Sequence, residues 1–153
     1  MTRYYSGDPR RIQHFLKVHS FSKLIGIREG IAPDEMEILE AAAIVHDIGI
    51  KPAMEKYGES DGKLQETEGP MYAEAMLSGL GYGKNIIDRV CWLIAHHHTY
   101  NNIEGLDYQI LVEADFLVNL HEGNVSREAC DAAYVNIFKT ETGKELYRLM
   151  YKK

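Results

Sequence analysis

Cysteine is scarce in this chain. Cys91 and Cys130 stand alone, in neither a Cys-x-x-Cys pair nor the disulfide spacing of a small secreted protein, and both read as small buried hydrophobes. That usage suits a reducing cytoplasm. Long apolar runs are absent too: no window approaches the ~18 residues of a membrane span. The stretch MTRYYSGDPRR at the amino end has no apolar segment of signal-peptide length. A cytoplasmic protein without a membrane partner is the expectation. Basic residues are outnumbered, 17 against 23 acidic ones, for a formal net charge of -6 with no long run of either sign. General nucleic-acid binding through backbone electrostatics is therefore disfavoured, although a local basic pocket stays open. No β-hairpin signal and no internal repeat is visible.

What is present is helical punctuation. With 153 residues and 45% hydrophobic content, the chain can bury a sizeable core as one domain, residues 1–153. Asp8 and Pro9 open a first helix, on which Ile12, Phe15, Leu16 and His19 recur at helical spacing and should point inward. Pro33, Asp34 and Glu35 open a second, with Ile38, Ala42 and Val45 inward, and Gly49 with Lys51-Pro52 should stop it. Residues 54–69, rich in glycine and charge without sustained periodicity, read as a long connection and a mobile lid. Helices are expected over 70–78, 84–95 and 107–120, with another starting at Ser126 and ending before Gly143. The amphipathic tail GKELYRLMYKK could pack internally or against a second copy, and a homodimer is the preferred assembly. The fold class is all-α.

The segment AAAIVHDIGI places His46 and Asp47 side by side at the end of an apolar run. Burial strips such a pair of water, so hydrogen bonds, opposite charge or a metal must compensate. Asp115 raises the same question, because Leu111 and Val118 put it on an apolar helical face in ILVEADFLVNL. With His19 these residues make a set of two imidazoles and two carboxylates on three inward faces, suited to a divalent cation. Neighbouring residues on a helix diverge by ~100°, so His46 and Asp47 can share an ion only off the edge between them, an approach that a helix end eases.

The order of His19, then His46-Asp47, then Asp115 resembles the H…HD…D pattern of the HD-domain metal-dependent phosphohydrolase superfamily. The likeness spans residues 13–120, with C-terminal helices following in 126–153. It implies a compact helical bundle around one divalent metal ion (Mn, Fe, Co, Ni, Mg or Zn) held by His19, His46, Asp47 and Asp115. In some relatives a histidine pair and an upstream histidine in an H-x-x-x-G setting hold a second metal. Here Gln65 precedes Gly69, which favours one metal and leaves a second open, with Glu66 or Glu68 as alternative oxygen ligands. In WLIAHHHTY, His96 and His97 are the residues expected to face the site, as donors to a substrate phosphate or as second-metal ligands. Lys51 resembles the lysine of HDIGK variants but is displaced one position by Ile50, which also stands where certain nucleotidase relatives have a glutamate.

The resemblance implies hydrolysis of a small phosphorylated substrate, a nucleotide by preference, by a phosphomonoesterase or phosphodiesterase. Asp47 is the candidate catalytic residue, orienting or deprotonating the attacking water. The competing reading is a non-catalytic, metal-containing ligand-binding or sensor domain, motivated by Gln65 and Ile50.

Overall fold

Proline and side-chain caps start the helices where the sequence calls for them. Asp8 accepts a hydrogen bond from Arg11 N at 3.0 Å, Pro9 follows, and α1 runs Pro9–Glu29 until Gly30 turns left-handed at φ 72°. Pro33, with Asp34 and Glu35 in the first turn, opens α2 (Pro33–Val45), and a 3-10 turn, His46–Gly49, follows directly. Then come α3 (Ile50–Tyr57), α4 (Gly62–Gly79), α5 (Lys84–Ile94), α6 (Leu106–Glu122), α7 (Arg127–Asn136) and α8 (Glu141–Tyr151). The computed structural model describes residues 1–152, and no strand occurs among them. Within the same residues, no helix is long and apolar enough to cross a membrane. The fold is all-α, as its punctuation requires.

Helix α2 lies at the centre, packed on α1, α5 and α6, while α4 covers α5, α3 and the 3-10 turn. Ile25, Leu39, Leu93, Ile94, Ile110, Leu111 and Leu117 are fully buried between these helices. The tail packs internally: α8 lies on α1 and α6, with Tyr147 buried beside Phe138. Lys153 lies outside the described residues. Glu113 closes this end as a buried carboxylate, accepting from Gln109 Nε2 at 2.7 Å, Lys139 N at 2.6 Å and Thr140 N at 2.9 Å. Neutral donors thus match its charge and dock the loop before α8 onto α6.

One expectation is corrected. Residues 54–69 are no lid: α3 extends to Tyr57, and α4 begins at Gly62 behind Asp61, which accepts from Leu64 N at 2.8 Å. The helical period is masked because α4 buries Gln65, Glu66 and Glu68, polar residues on the face where apolar ones would have revealed it. The second helix stops as expected, at Val45, and Pro52 then sits in the first turn of the separate α3, where its missing N–H has no helical acceptor to lose. The helix opened at Ser126 ends before Gly143 as expected, at Asn136, and α8 begins at Glu141.

The 3-10 turn lies flush on α4. A Cβ on Gly49 would stand 2.6 Å from Gln65 O and 2.9 Å from Gly69 N, both main-chain atoms that cannot rotate away. Gly69 is matched from the other side, where a Cβ would meet Ile94 Cγ2 at 2.6 Å. Gly49→Ala is therefore expected to destabilise the protein by about 1–3 kcal/mol, the usual range for overpacking, read as a lower denaturant midpoint. An unchanged midpoint would mean that the turn can lift off α4 without cost.

Candidate metal centre

Four elements bring five side chains to one buried point. His14 comes from α1, His46 and Asp47 from the 3-10 turn, His97 from the turn after α5, and Asp115 from α6. His14 Nε2 lies 3.4 Å from His46 Nε2, 3.5 Å from Asp47 Oδ2 and 3.2 Å from Asp115 Oδ1. His46 Nε2 is 3.4 Å from Asp47 Oδ1 and 3.5 Å from Asp115 Oδ1, and His97 Nε2 is 3.8 Å from Asp47 Oδ1. The side chain of His46 is wholly buried, and those of Asp47 and Asp115 are only 10% and 7% exposed.

The imidazoles are oriented from behind. His14 Nδ1 is 2.9 Å from Glu122 Oε2, His46 Nδ1 is 2.9 Å from Ala43 O, and His97 Nδ1 is 2.7 Å from Ile94 O. Carboxylate and carbonyl oxygens only accept, so each Nδ1 carries a proton, and whenever a ring is neutral its Nε2 lone pair turns inward. Such outer partners fix metal-binding histidines in the right tautomer. Lys17 in turn holds Glu122, at 3.0 Å. The inward atoms are left short of partners: His97 Nε2 and Asp115 Oδ1 are buried without a hydrogen bond. Three imidazole nitrogens and two carboxylates, with orphaned atoms facing one point, fit a divalent first-row cation.

The electrostatics point the same way. Burial opposes ionisation of Asp47 and Asp115, yet the neighbouring histidines hold both carboxyls well below the usual range. Burial likewise opposes a charge on His46, but Asp47 and Asp115 outweigh it and push this imidazole up to about 9, and His14 is raised as well. Protons on the histidines thus stand in for the positive charge that two adjacent carboxylates need. Where no such pair dominates, the outcome reverses: burial and the neighbouring His97 push His98 down to about 4.

His46, Asp47, His97 and Asp115 come together; His19 does not. It lies on another face of α1, with Nε2 3.0 Å from Glu40 Oε1, beside Lys23 and at a separate cleft of about 390 Å³. The buried stripe of α1 is His14, Phe15, Val18, Ser22 and Ile25, whereas Leu16, part of the face read from sequence, is 45% exposed. The signal for His14 was its fit to Val18, Ser22 and Ile25 at helical spacing. His96 also turns away, stacked on Trp92 with ring centroids 4.2 Å apart. Glu68 is taken by Lys56 and Tyr57. Lys51 is exposed, its Nζ 5.1 Å from the centre of the Tyr4 ring. Two residues missed in the sequence touch Asp47: Arg11 Nη1 lies 3.3 Å from Oδ2, and the Tyr5 hydroxyl donates to the Asp47 carbonyl at 2.8 Å.

A helical bundle with a buried nitrogen-and-oxygen site of this composition defines a class, and comparison gives it a family. The HD-domain profile matches residues 11–138, and the chain belongs to the HD-domain family. Among solved structures, it is similar to a predicted HD superfamily hydrolase from an uncultured Thermotogales bacterium, with a TM-score of 0.68 at 24% identity. That alignment covers 97% of this chain and 79% of the other. None of the curated proteins matches.

Two predictions follow from the geometry. His14→Ala should abolish stoichiometric metal binding measured by elemental analysis, Glu122→Gln should weaken it roughly 10- to 100-fold as outer-partner losses do, and His19→Ala should leave it intact. Metal loss in His19→Ala with retention in His14→Ala would reverse the assignment. The second concerns pH. In metal-free protein His46 rises from 6.5 unfolded to about 9 folded, so the stability its proton contributes is complete below pH 6.5 and lost as pH climbs through 9. The melting temperature of stripped protein should fall over that window, and that of metal-loaded protein should not follow it. A flat curve for stripped protein would exclude a charged His46.

Proposed function

We propose that residues 1–153 act as a single HD-type hydrolase domain, a metal-dependent phosphohydrolase acting on a small phosphate ester of the nucleotide class. The observation that carries this reading is the convergence of His14, His46 and His97 Nε2 on the carboxylates of Asp47 and Asp115. Family membership and the likeness to a structure described as a predicted hydrolase support it. The substrate class is drawn from a cleft of about 540 Å³ beside Asp47, lined by Tyr4, Tyr5, Arg11, Ile50, Lys51 and Ser60. Two cations suit a phosphate, and the rings of Tyr4 and Tyr5 in the cleft wall suit a base.

His14, His46, Asp47 and Asp115 would hold one divalent ion, with His97 at its edge. When bound, such an ion polarises a phosphoryl oxygen and acidifies water at neutral pH. The chain's own groups do the rest. Arg11 and Lys51 bind and orient the phosphate at the mouth of the cleft, while burial of the histidines excludes bulk water. Asp47 is too acidic for a strong base, so its part is orientation: Arg11 holds Oδ2, and Oδ1 accepts a hydrogen bond from the attacking water. Glu68 and His96 have no place in this scheme because each faces other partners.

The near-complete burial of Asp47 and Asp115 favours one competitor, a metal-containing binding or sensor domain that holds a nucleotide without turning it over. Continuous product release from a panel of nucleotides and small phosphate esters separates the two. Metal-dependent turnover should disappear in Asp47→Ala, with folding checked by circular dichroism, and Arg11→Ala should raise KM about tenfold, as loss of one charge-assisted hydrogen bond does. Saturable binding without product on every substrate would favour the sensor reading. Full activity in Asp47→Ala would remove that residue from the mechanism.

A further inference from the structure

One nitrogen each of His97 and His98 and an oxygen of Asp47 lie within 4.8 Å of one another, so distance alone would admit a second cation next to the first. The hydrogen bonds around His98 oppose it. Gln65 Nε2 donates to Ser60 O at 2.8 Å, and because that carbonyl only accepts, the amide's orientation is fixed. Gln65 Oε1 therefore faces His98 Nε2, 3.1 Å away, and that nitrogen must carry the proton. The other ring nitrogen, Nδ1, then takes the hydroxyl proton of Tyr100 at 3.3 Å. Both nitrogens of a neutral ring are in use: Nε2 presents a hydrogen to Gln65, and the Nδ1 lone pair is taken up by Tyr100, so neither offers a free lone pair to a cation. This is the reverse of His14, His46 and His97, whose protons all sit on Nδ1.

The ring is also fixed in place. A Cβ on Gly62 would come within 2.8 Å of His98 Cγ, so the imidazole lies directly on the start of α4. Glu66 Oε1 accepts from His98 N at 3.0 Å and from Thr99 Oγ1 at 2.9 Å, which holds the backbone of the turn. A cation seeking His98 would have to expel the Nε2 proton and break the bond to Gln65, or displace the Tyr100 hydroxyl from Nδ1, within this setting.

We infer that Gln65 restricts the centre to one metal ion by locking His98 in the Nε2–H tautomer, in which neither ring nitrogen has a free lone pair. The inference rests on the metal centre proposed above, and it makes Gln65 a positioning residue that decides metal number. The alternative use of the same amide, as an oxygen ligand to a second ion, predicts the opposite response to its removal.

The test is zinc titration of the full chain, with bound metal counted by elemental analysis and the histidine nitrogens followed by long-range proton–nitrogen NMR. Wild type should bind one zinc, with His14, His46 and His97 Nε2 shifting on loading and His98 keeping its Nε2 proton. Gln65→Ala should bind a second zinc with a shift at His98, and Gln65→Ala/His98→Ala should return to one. Two zinc ions in wild type with His98 perturbed would overturn the lock while leaving the metal centre intact. So would Gln65→Ala remaining at one with His98 unmoved. No zinc bound in wild type would overturn the metal centre itself, and the lock with it. The wild-type spectrum alone reads the His98 tautomer, so the inference remains falsifiable even if a variant fails to fold.

Discussion

Two carboxylates, Asp47 and Asp115, occupy one buried site, and much of the surrounding structure answers the cost of putting them there. Two like unit charges roughly 4 Å apart repel by about 4 kcal/mol even at an effective dielectric near 20. Burial adds a desolvation penalty of several kcal/mol per ion. A structure that keeps both acids must surround them with positive charge or with groups able to hold it. His14, His46 and His97 are such groups, and Arg11 adds a fixed cation at the rim. The arrangement has two ways to neutrality: protons on the imidazoles, or a cation on their lone pairs.

The backbone must deliver these groups with little slack, and two kinds of contact do so. Gly49 and Gly69 let the 3-10 turn and α4 meet main chain to main chain, which leaves no room for a side chain between them. From the opposite side, Tyr4 and Tyr5 donate their hydroxyls to the carbonyls of Ile48 and Asp47, at 3.3 and 2.8 Å. The carbonyls of a short turn are thereby matched by long-range partners, and Asp47 is held between the segment before α1 and the body of α4. His46 uses the last carbonyls of α2 in a similar way, through Ala43 O, and His97 those of α5, through Ile94 O. Helix ends, which would otherwise leave acceptors unmatched, here orient imidazoles.

The legibility of this site in the sequence follows the physics of each element. His46-Asp47 and Asp115 stood out because they interrupt strongly apolar stretches, where a polar group needs an explanation. His14 did not, since α1 carries apolar residues on more than one face and Leu16 drew the inward direction toward His19. The helical content of residues 62–69 was hidden for the converse reason: Gln65, Glu66 and Glu68 are buried through polar contacts, which hydrophobic periodicity does not register. Gly49 was legible as a break but not as a contact, because the atom that demands glycine belongs to Gln65, sixteen residues away. Arg11 and Tyr5 were invisible for the same reason, as their bonds to Asp47 span 36 and 42 residues.

Among the histidines, proximity to the acids is a poor guide to role, and the partner on the far side of the ring is a better one. His97 and His98 are adjacent, with ring centroids 4.0 Å apart, yet they are polarised oppositely. An acceptor behind Nδ1 makes His97 Nε2 a lone-pair donor. An amide oxygen beside Nε2 makes the same atom of His98 a hydrogen donor. Composition and spacing cannot distinguish the two, because the difference is written in Ile94 O, Ser60 O and the orientation of one glutamine amide. A candidate metal centre of this kind is therefore specified as much by backbone carbonyls as by the side chains facing it, and a run of three histidines becomes three different things: a stacking partner of Trp92, an inward-facing candidate ligand and a ring hydrogen-bonded to Gln65.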